Sequence, residues 1–228
     1  MRSIDDNLQA VLHRIARAAA AAGRDPGGVT LLAVSKTHSA ALIEQALAAG
    51  QRAFGENYVQ EAIEKMDALA GKAIEWHLVG PLQSNKTRPV ASRFDWVHSV
   101  ENEKIARRLS EQRPAGLAPL NVLIQVNVSG EASKGGVAAE KVFSLSESIN
   151  SLPRLRLRGL MAIPEAGADR ARYRELKSLY ETLKGGLQFD TLSVGMSDDL
   201  ELAVAEGATM VRIGTAIFGE RQKVRSAA

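Results

Sequence analysis

Leu31-Leu32-Ala33-Val34-Ser35-Lys36-Thr37 is the stretch on which the predicted fold and function of this chain depend. Its apolar residues end at a lysine and a polar turn, which is typical of a buried strand. Burial of a lysine is costly unless the amine is paired or used. A lysine at the tip of a strand can be kept partly dry, and neutral lysine forms Schiff bases with aldehydes. The alternative is a strand that simply ends at a solvated lysine, and this stretch alone favours that simpler interpretation.

Similar apolar runs recur along the chain and alternate with segments whose apolar residues are spaced as on one face of a helix. This alternation predicts parallel strands joined by helical crossovers, and about eight such units in 228 residues predict an α/β fold, a (β/α)8 TIM-type barrel. An open doubly wound sheet is the alternative, although no Gly-x-Gly-x-x-Gly follows the first strand. The predicted strands are Val29–Val34, Arg52–Phe54, Glu75–Val79, Trp96–Ser99, Val122–Val128, Leu155–Leu160, Thr191–Val194 and Thr209–Ile213.

An extra helix is predicted before the first strand. Ser3 is a candidate cap with Asp6 three residues later, an apolar stripe begins at Ile4, and Gly23 is a natural stop. We interpret this helix as a packing element and residues 1–228 as one domain. The crossover near 86–91 is the least regular helix, because Pro89 interrupts it.

Composition excludes several classes of function. The chain has no cysteine, so disulfides and a cysteine nucleophile are excluded, and its four histidines are too scattered to predict a metal site. No apolar run is long enough to cross a bilayer and the amino terminus does not resemble a signal peptide, which predicts a cytoplasmic protein without a membrane partner. A net charge of +3 and an aromatic content of 4% give little support for nucleic-acid binding.

Polar clusters follow most of the predicted strands, at the barrel end where active sites form. The last two clusters resemble a phosphate site, since barrels often bind phosphate with the loops after strands seven and eight. Gly195 and Gly214 allow close approach of the backbone, and Ser197 and Thr215 offer hydroxyl groups. We expect Ser197 also to start the following helix as its cap.

Arg212 lies within an apolar strand, and alternation places it opposite Val211 and Ile213. If those two face the helices, Arg212 points into the barrel mouth. A buried arginine needs a partner. The residues alone leave two alternatives open, a ligand contact and a structural ion pair with an acid such as Glu56.

A strand-end lysine, a phosphate site and an inward arginine together suggest pyridoxal 5′-phosphate (PLP). At this point the chain resembles the pyridoxal-phosphate homeostasis proteins, which share their barrel with the amino-terminal domain of alanine racemase. The likeness runs from about residue 4 to Gly219, and the departure is Val194, where a methionine is common. The matching stretches are Ala33–Thr37, Phe54–Glu61, Trp76–Lys86, Gln125–Asn127, Arg158–Pro164, Gly195–Asp199 and Val211–Gly219.

The resemblance implies a role for each matching residue. Lys36 would carry PLP as a Schiff base, Arg212 would face the pyridine nitrogen, and Asn57 would lie near the polar edge of the ring. Three residues would hold the phosphate, namely Ser197, Gly214 and Thr215, and three would line the pocket, namely Val34, His77 and Met161.

The implied function is a non-catalytic PLP-binding protein of cofactor homeostasis, which stores, delivers or regulates PLP and transiently meets PLP-dependent apo-enzymes. The alternatives are an amino-acid racemase on the same barrel and a Schiff-base aldolase acting on a phosphorylated sugar. Racemases of this type continue into a second domain that supplies a catalytic tyrosine, whereas this sequence ends nine residues after Gly219. We therefore expect a monomer without substantial turnover.

Overall fold

Eight parallel strands close into a barrel in the computed structural model, which describes residues 3–130, 135–165 and 167–220. The strands are hydrogen-bonded in sequence order, and β1 pairs with β2 on one side and with β8 on the other. The predicted (β/α)8 barrel is confirmed, and the open sheet is wrong. The strands are β1 Thr30–Val34, β2 Ala53–Glu56, β3 Glu75–Leu78, β4 Trp96–Val100, β5 Leu120–Val126, β6 Leu155–Ala162, β7 Thr191–Ser193 and β8 Met210–Ile213.

Helices precede the barrel and follow its strands. The predicted extra helix is α1, and its amino terminus is closed by reciprocal hydrogen bonds between Ser3 and Asp6. The helices are α1 Ile4–Ala21, α2 Ala40–Ala48, α3 Val59–Ala68, α4 Thr87–Arg93, α5 Glu103–Gln112, α6 Ala139–Asn150, α7 Arg170–Lys184, α8 Leu200–Ala205 and α9 Thr215–Phe218.

Strand boundaries shift by one or two residues from the predictions, and two differences have clear local reasons. Pro89 does not interrupt α4, because it lies in the first turn, where a backbone N–H has no partner within the helix. Strand β5 ends at Val126 rather than Val128, because the Asn127 backbone N–H donates to the Val137 carbonyl instead of continuing the strand. That residues 1–228 form one domain stays a prediction.

The apolar core has two layers. The larger layer lies between strands and helices and takes the outward residues of each strand, such as Leu31 and Ala33 of β1. Inside the barrel are two small clusters, one containing Leu32 and one containing Met161. The remaining interior positions include polar side chains, so the apolar filling of the barrel is incomplete.

The described residues contain neither a candidate membrane-spanning helix nor a candidate metal cluster. None of the described helices combines the length and the apolar character that a bilayer crossing requires. Histidine and acidic side chains in the described part of the chain do not come together in any group of three or more that could hold a metal ion.

Gly159 marks the tightest backbone contact in the barrel wall. Its φ is +148°, and a Cβ at this position would lie 1.9 Å from the carbonyl oxygen of Thr191. We expect Gly159→Ala to lower the free energy of unfolding by about 3 kcal/mol, measured by denaturant titration. Gly185→Ala is the matched control, because Gly185 has φ −61° and open space around it. The control should change stability by less than about 0.5 kcal/mol, and equal losses in both variants would contradict the steric account.

Candidate functional site

A cavity of about 570 Å³ opens at the carboxyl-terminal ends of the strands. Such a volume is in the range that holds a small-molecule cofactor. Seven of the nine predicted site residues line it, namely Val34, Lys36, Asn57, Ser197, Arg212, Gly214 and Thr215.

The backbone on both sides of Lys36 is held by one buried cation. The Lys65 ammonium on α3 donates to the Ser35 carbonyl oxygen at 2.7 Å and to Glu61 Oε1 at 2.6 Å. Glu61 Oε1 in turn accepts from the Thr37 backbone N–H at 2.6 Å. Thr37 has φ +66°, a left-handed conformation that is unfavourable for a β-branched residue. These bonds therefore hold a strained turn and fix the point from which the Lys36 side chain leaves β1.

Glu56 completes this network and is not the partner of Arg212. Its fully buried carboxylate accepts from Lys65 Nζ at 2.7 Å and from the Ser35 hydroxyl at 2.6 Å. Burial raises the pKa of Glu56, and the Lys65 ammonium opposes that rise. The alternative of an Arg212–Glu56 ion pair is therefore wrong.

Arg212 on β8 is almost fully buried, and its guanidinium forms part of the cavity wall. It donates to the Ser193 carbonyl at 2.7 Å, to the Ser193 hydroxyl at 2.9 Å and to the Ala162 carbonyl at 2.9 Å. Burial lowers the pKa of Arg212 to about 10, so the group stays charged at neutral pH. The site thus presents a fixed positive charge beside the strand that carries Lys36.

The loop after β7 is shaped by Asp199 and Arg14. Asp199 accepts from the Met196 backbone N–H at 2.6 Å and from the Tyr173 hydroxyl at 2.5 Å. Arg14 of α1 donates to the Ser197 carbonyl at 2.9 Å. Helix α8 begins at Leu200 with Asp199 in the cap position, so the expectation that Ser197 caps this helix is wrong. Two acids between Ser197 and the helix carry the chain through a turn first, which leaves the Ser197 side chain in the cavity wall.

The loop after β8 brings a second open backbone to the cavity. Gly214 follows β8 directly, and a Cβ there would lie 3.1 Å from the carbonyl oxygen of Val34. Thr215 begins the short helix α9. Glycine at 214 therefore lets this loop pack against the end of β1, beside Lys36.

Asn57 supplies an unsatisfied polar atom. Its Oδ1 is buried and has no hydrogen-bond partner among the described residues. Its position depends on Gly80, because a Cβ at 80 would lie 2.2 Å from the Asn57 carbonyl oxygen. A buried acceptor without a partner costs free energy, and a ligand that donates to it would recover that cost.

His77 and Met161 do not line the cavity, which corrects the expectation that they do. Both are fully buried inside the barrel. His77 stacks on Trp96 and binds Glu75, the first residue of β3, so it faces the amino-terminal end of the barrel. Met161 packs against Trp96 and Leu123. The resemblance implied a pocket role for both residues, but their height along the barrel axis places them away from the cavity.

Sequence reasoning missed three residues that shape the site. Arg14 lies outside the apolar stripe of α1, and that stripe was the only feature of the helix that we interpreted from the sequence. His38 lines the cavity and packs on Phe218, although only its place after β1 indicated this. Lys65 is four residues after Glu61, and this spacing on a helix predicts an ion pair between the two side chains.

Comparison with known proteins agrees with this fold and arrangement. The family model described as the alanine racemase amino-terminal domain matches residues 7–222. The solved structures with similar folds include an alanine racemase of Clostridium difficile, with 14% identity, coverage of 96% of this chain and 58% of that chain, and a TM-score of 0.74, a likeness that concerns the fold alone.

The curated relatives give a narrower assignment. A Pseudomonas aeruginosa protein named pyridoxal phosphate homeostasis protein is 60% identical over 97% of both chains, and an Escherichia coli protein of the same name is 52% identical over 97% of this chain and 98% of that protein. This chain belongs to the family of pyridoxal phosphate homeostasis proteins. The solved structure of Synechococcus elongatus PipY with PLP bound is 36% identical, covers 95% of this chain and all of that chain, and has a TM-score of 0.82.

The clamp on the lysine loop can be tested without any ligand. Glu61→Ala removes the acceptor of the Thr37 N–H and one of the three acceptors of Lys65, so we expect a loss of about 1 to 3 kcal/mol in stability. We also expect faster hydrogen exchange at the Thr37 amide, measured by NMR. Glu64→Ala is the matched control, because Glu64 lies on the same helix and is exposed. An unchanged Thr37 exchange rate in Glu61→Ala would show that the clamp does not hold the loop.

Proposed function

We propose that this chain binds PLP in the cavity at the carboxyl ends of its strands, with Lys36 as the covalent attachment point. One observation carries the proposal: a single cavity is lined by an amine, two hydroxyl-bearing glycine loops and a buried guanidinium. The amine can react with the aldehyde of PLP, the loops can bind its phosphate, and the guanidinium can face its ring nitrogen. The PLP-bound structure of the Synechococcus elongatus relative supports the same assignment.

The phosphate would be held by the loops after β7 and β8. Ser197 and Thr215 would contribute hydroxyl groups, and Gly214 leaves backbone open where a side chain would collide with Val34. Arg14 places a guanidinium in the cavity wall, where it is paired with Glu201 at 2.7 Å. Asp198 also lines the cavity and opposes an anion, so the phosphate is expected on the Arg14 side of the loop.

The ring would lie between Val34 and the polar groups of the cavity wall. The unpartnered Asn57 Oδ1 could accept a hydrogen bond from it. PLP when bound supplies an electron sink for carbanions at the substrate α-carbon. The permanent charge of Arg212 disfavours protonation of the pyridine nitrogen and so weakens that sink. This electrostatic setting fits a carrier of PLP, and also a racemase that avoids side reactions.

We further propose that the chain is non-catalytic and acts in PLP homeostasis, meeting apo-enzymes transiently. The names of the curated relatives support this role. A racemase needs a base on each face of the α-carbon. Of the candidates for the second base, His77 is buried away from the cavity and Tyr58 does not line it. His38 does line it, but it leaves the same loop as Lys36. A monomeric state and a cytoplasmic location stay predictions from the sequence.

The covalent attachment point is tested by trapping. Borohydride reduction of PLP-loaded protein followed by peptide mapping should place a pyridoxyl group on Lys36. Lys36→Ala should lose the visible absorbance band yet keep some PLP through the phosphate loops. Lys86→Ala is the control, because Lys86 is exposed near the same end of the barrel, and it should keep the band. A label found mainly on Lys86 would refute the assignment.

The absence of turnover is tested by isotope exchange. Loaded protein incubated with L- and D-alanine in deuterated water should show neither racemisation nor steady α-proton exchange at enzyme-like rates. A missing general base typically costs about two to four orders of magnitude in rate. Exchange at enzyme-like rates that disappears in both Lys36→Ala and His38→Gln would instead show a two-base enzyme and overturn the carrier role.

A further inference from the structure

A continuous chain of hydrogen bonds runs along the inside of the barrel, from the cavity to the opposite end. The Arg212 guanidinium lies 2.9 Å from the Ser193 hydroxyl, which lies 3.2 Å from His98 Nδ1. His98 Nε2 lies 2.9 Å from His77 Nδ1, and His77 Nε2 lies 2.7 Å from Glu75 Oε1. We call these five residues the interior chain. Three of its links join different strands, so a single sequence stretch does not reveal it.

The two ends of the interior chain fix the direction of every bond in it. A carboxylate can only accept, so His77 must donate through Nε2 to Glu75. His77 Nδ1 then accepts from His98 Nε2–H, which leaves His98 Nδ1 to accept from the Ser193 hydroxyl. A guanidinium can only donate, and Ser193 Oγ still has a lone pair for Arg212. With both histidines neutral, this pattern makes each an Nε2–H tautomer, and every buried polar hydrogen in the interior chain has an acceptor.

Neutral histidines are also what the electrostatics favour. Burial is the largest cause that lowers the pKa of both imidazoles, and Arg212 adds to the depression at His98. Opposing this at His77 are Glu75 and the more distant Asp95. A proton on His98 would turn Nδ1 into a donor, leave the Ser193 hydroxyl hydrogen without its acceptor and place a second charge near Arg212.

Arg212 depends on this chain because it has no carboxylate in contact. Its three acceptors are two backbone carbonyls and the Ser193 hydroxyl, and none of its described contacts is an ion pair. The two carbonyls accept from Nη1 and Nη2, and Ser193 Oγ is a second acceptor for Nη1, so it contributes the side-chain part of the hold on the guanidinium. The orientation of Ser193 in turn follows from His98, His77 and the half-exposed Glu75. The nearest acid in this line of bonds is thus at the far end of the barrel.

We propose that Glu75 is a positioning residue for Arg212, acting through His77, His98 and Ser193, and that it thereby fixes the charge that faces the cofactor ring. The second half of this statement rests on the proposed PLP site, whereas the first half concerns the protein alone. The test therefore has one arm without cofactor and one arm with it.

The arm without cofactor uses NMR of the apo protein. Long-range proton–nitrogen correlations should show His77 and His98 as Nε2–H tautomers at neutral pH, and the Arg212 side-chain N–H groups should exchange slowly. Glu75→Ala should speed that exchange and disturb the His77 tautomer, while Glu75→Gln, which keeps an acceptor, should restore most of the wild-type signal. A charged or Nδ1–H His98, or unchanged Arg212 exchange in Glu75→Ala, would overturn the proposal.

The arm with cofactor is a double-mutant cycle on the dissociation constant for PLP. We expect Glu75→Ala to weaken binding about threefold and Ser193→Ala about tenfold. The double variant should bind PLP no more weakly than Ser193→Ala, because loss of the Ser193 hydroxyl already interrupts the interior chain. If the fold-changes in the dissociation constant of the two single variants multiplied in the double variant, Glu75 would not be acting through Ser193. Glu103→Ala is the control, since Glu103 is an exposed acid paired with Arg107 on α5, and it should bind normally.

Failure of the proposed PLP site and failure of the positioning role of Glu75 would give different results. If wild-type protein takes up no PLP while the apo signals respond to Glu75→Ala as expected, the PLP site fails and the positioning role stands. If wild-type and Glu75→Ala proteins bind PLP equally well, the PLP site stands and the positioning role for the cofactor is refuted. Because the Glu75 side chain is half exposed, its substitution should leave the fold intact, which a thermal melt will check.

Discussion

The pairing of β1 with β8 is the constraint on which the rest of the structure depends. It closes the barrel, and its register sets Leu32 beside Arg212 and Ala33 beside Ile213. The lysine that follows β1 and the glycine loop that follows β8 therefore emerge next to each other, although about 180 residues separate them in sequence. A shift of one residue in this ladder would turn Arg212 out of the barrel and remove it from the cavity.

The two buried cations near the β1–β8 pairing, Lys65 and Arg212, have different kinds of hydrogen-bond partner. Lys65 is satisfied locally, with two carboxylates and a carbonyl within hydrogen-bond distance. Arg212 is satisfied by backbone carbonyls and a hydroxyl, and none of its described hydrogen-bond partners is a carboxylate. A local ion-pair network suits a group that holds backbone in place. A cation that faces a ligand cavity needs its charge left available, and Arg212 has no directly bonded carboxylate among its described contacts.

The sequence was sufficient for the architecture because strand and helix periodicities are local properties. All eight predicted strands are present, and the alternation around Arg212 placed it in the cavity wall correctly. The polar clusters after strands seven and eight were likewise readable, since strand ends on one face must converge. Periodicity does not report height along the barrel axis, so it offered no check on the pocket role that the resemblance implied for His77. Nor does it show contacts between distant segments, such as that of Arg14 with Ser197.

Helix starts were predicted less well than strands for a related reason. Ser197 has the residue type of a cap, but capping depends on where the following turn ends, and the turn is set by Asp199 through its bonds to Met196 and Tyr173. Tyr173 comes from α7, so the local sequence around Ser197 did not contain the deciding interaction. The resemblance to a family supplied residue roles that spacing could not, but it also implied the pocket role of His77 that the structure does not support.

The left-handed turn at Thr37 has a mechanical consequence. A threonine held at φ +66° stores about 1 to 3 kcal/mol of backbone strain, next to the residue that reaches into the cavity. The Glu61 and Lys65 contacts keep that strain in place. Loss of the Glu61 carboxylate would therefore remove the contact that holds the strained Thr37 turn, beside the residue that reaches into the cavity.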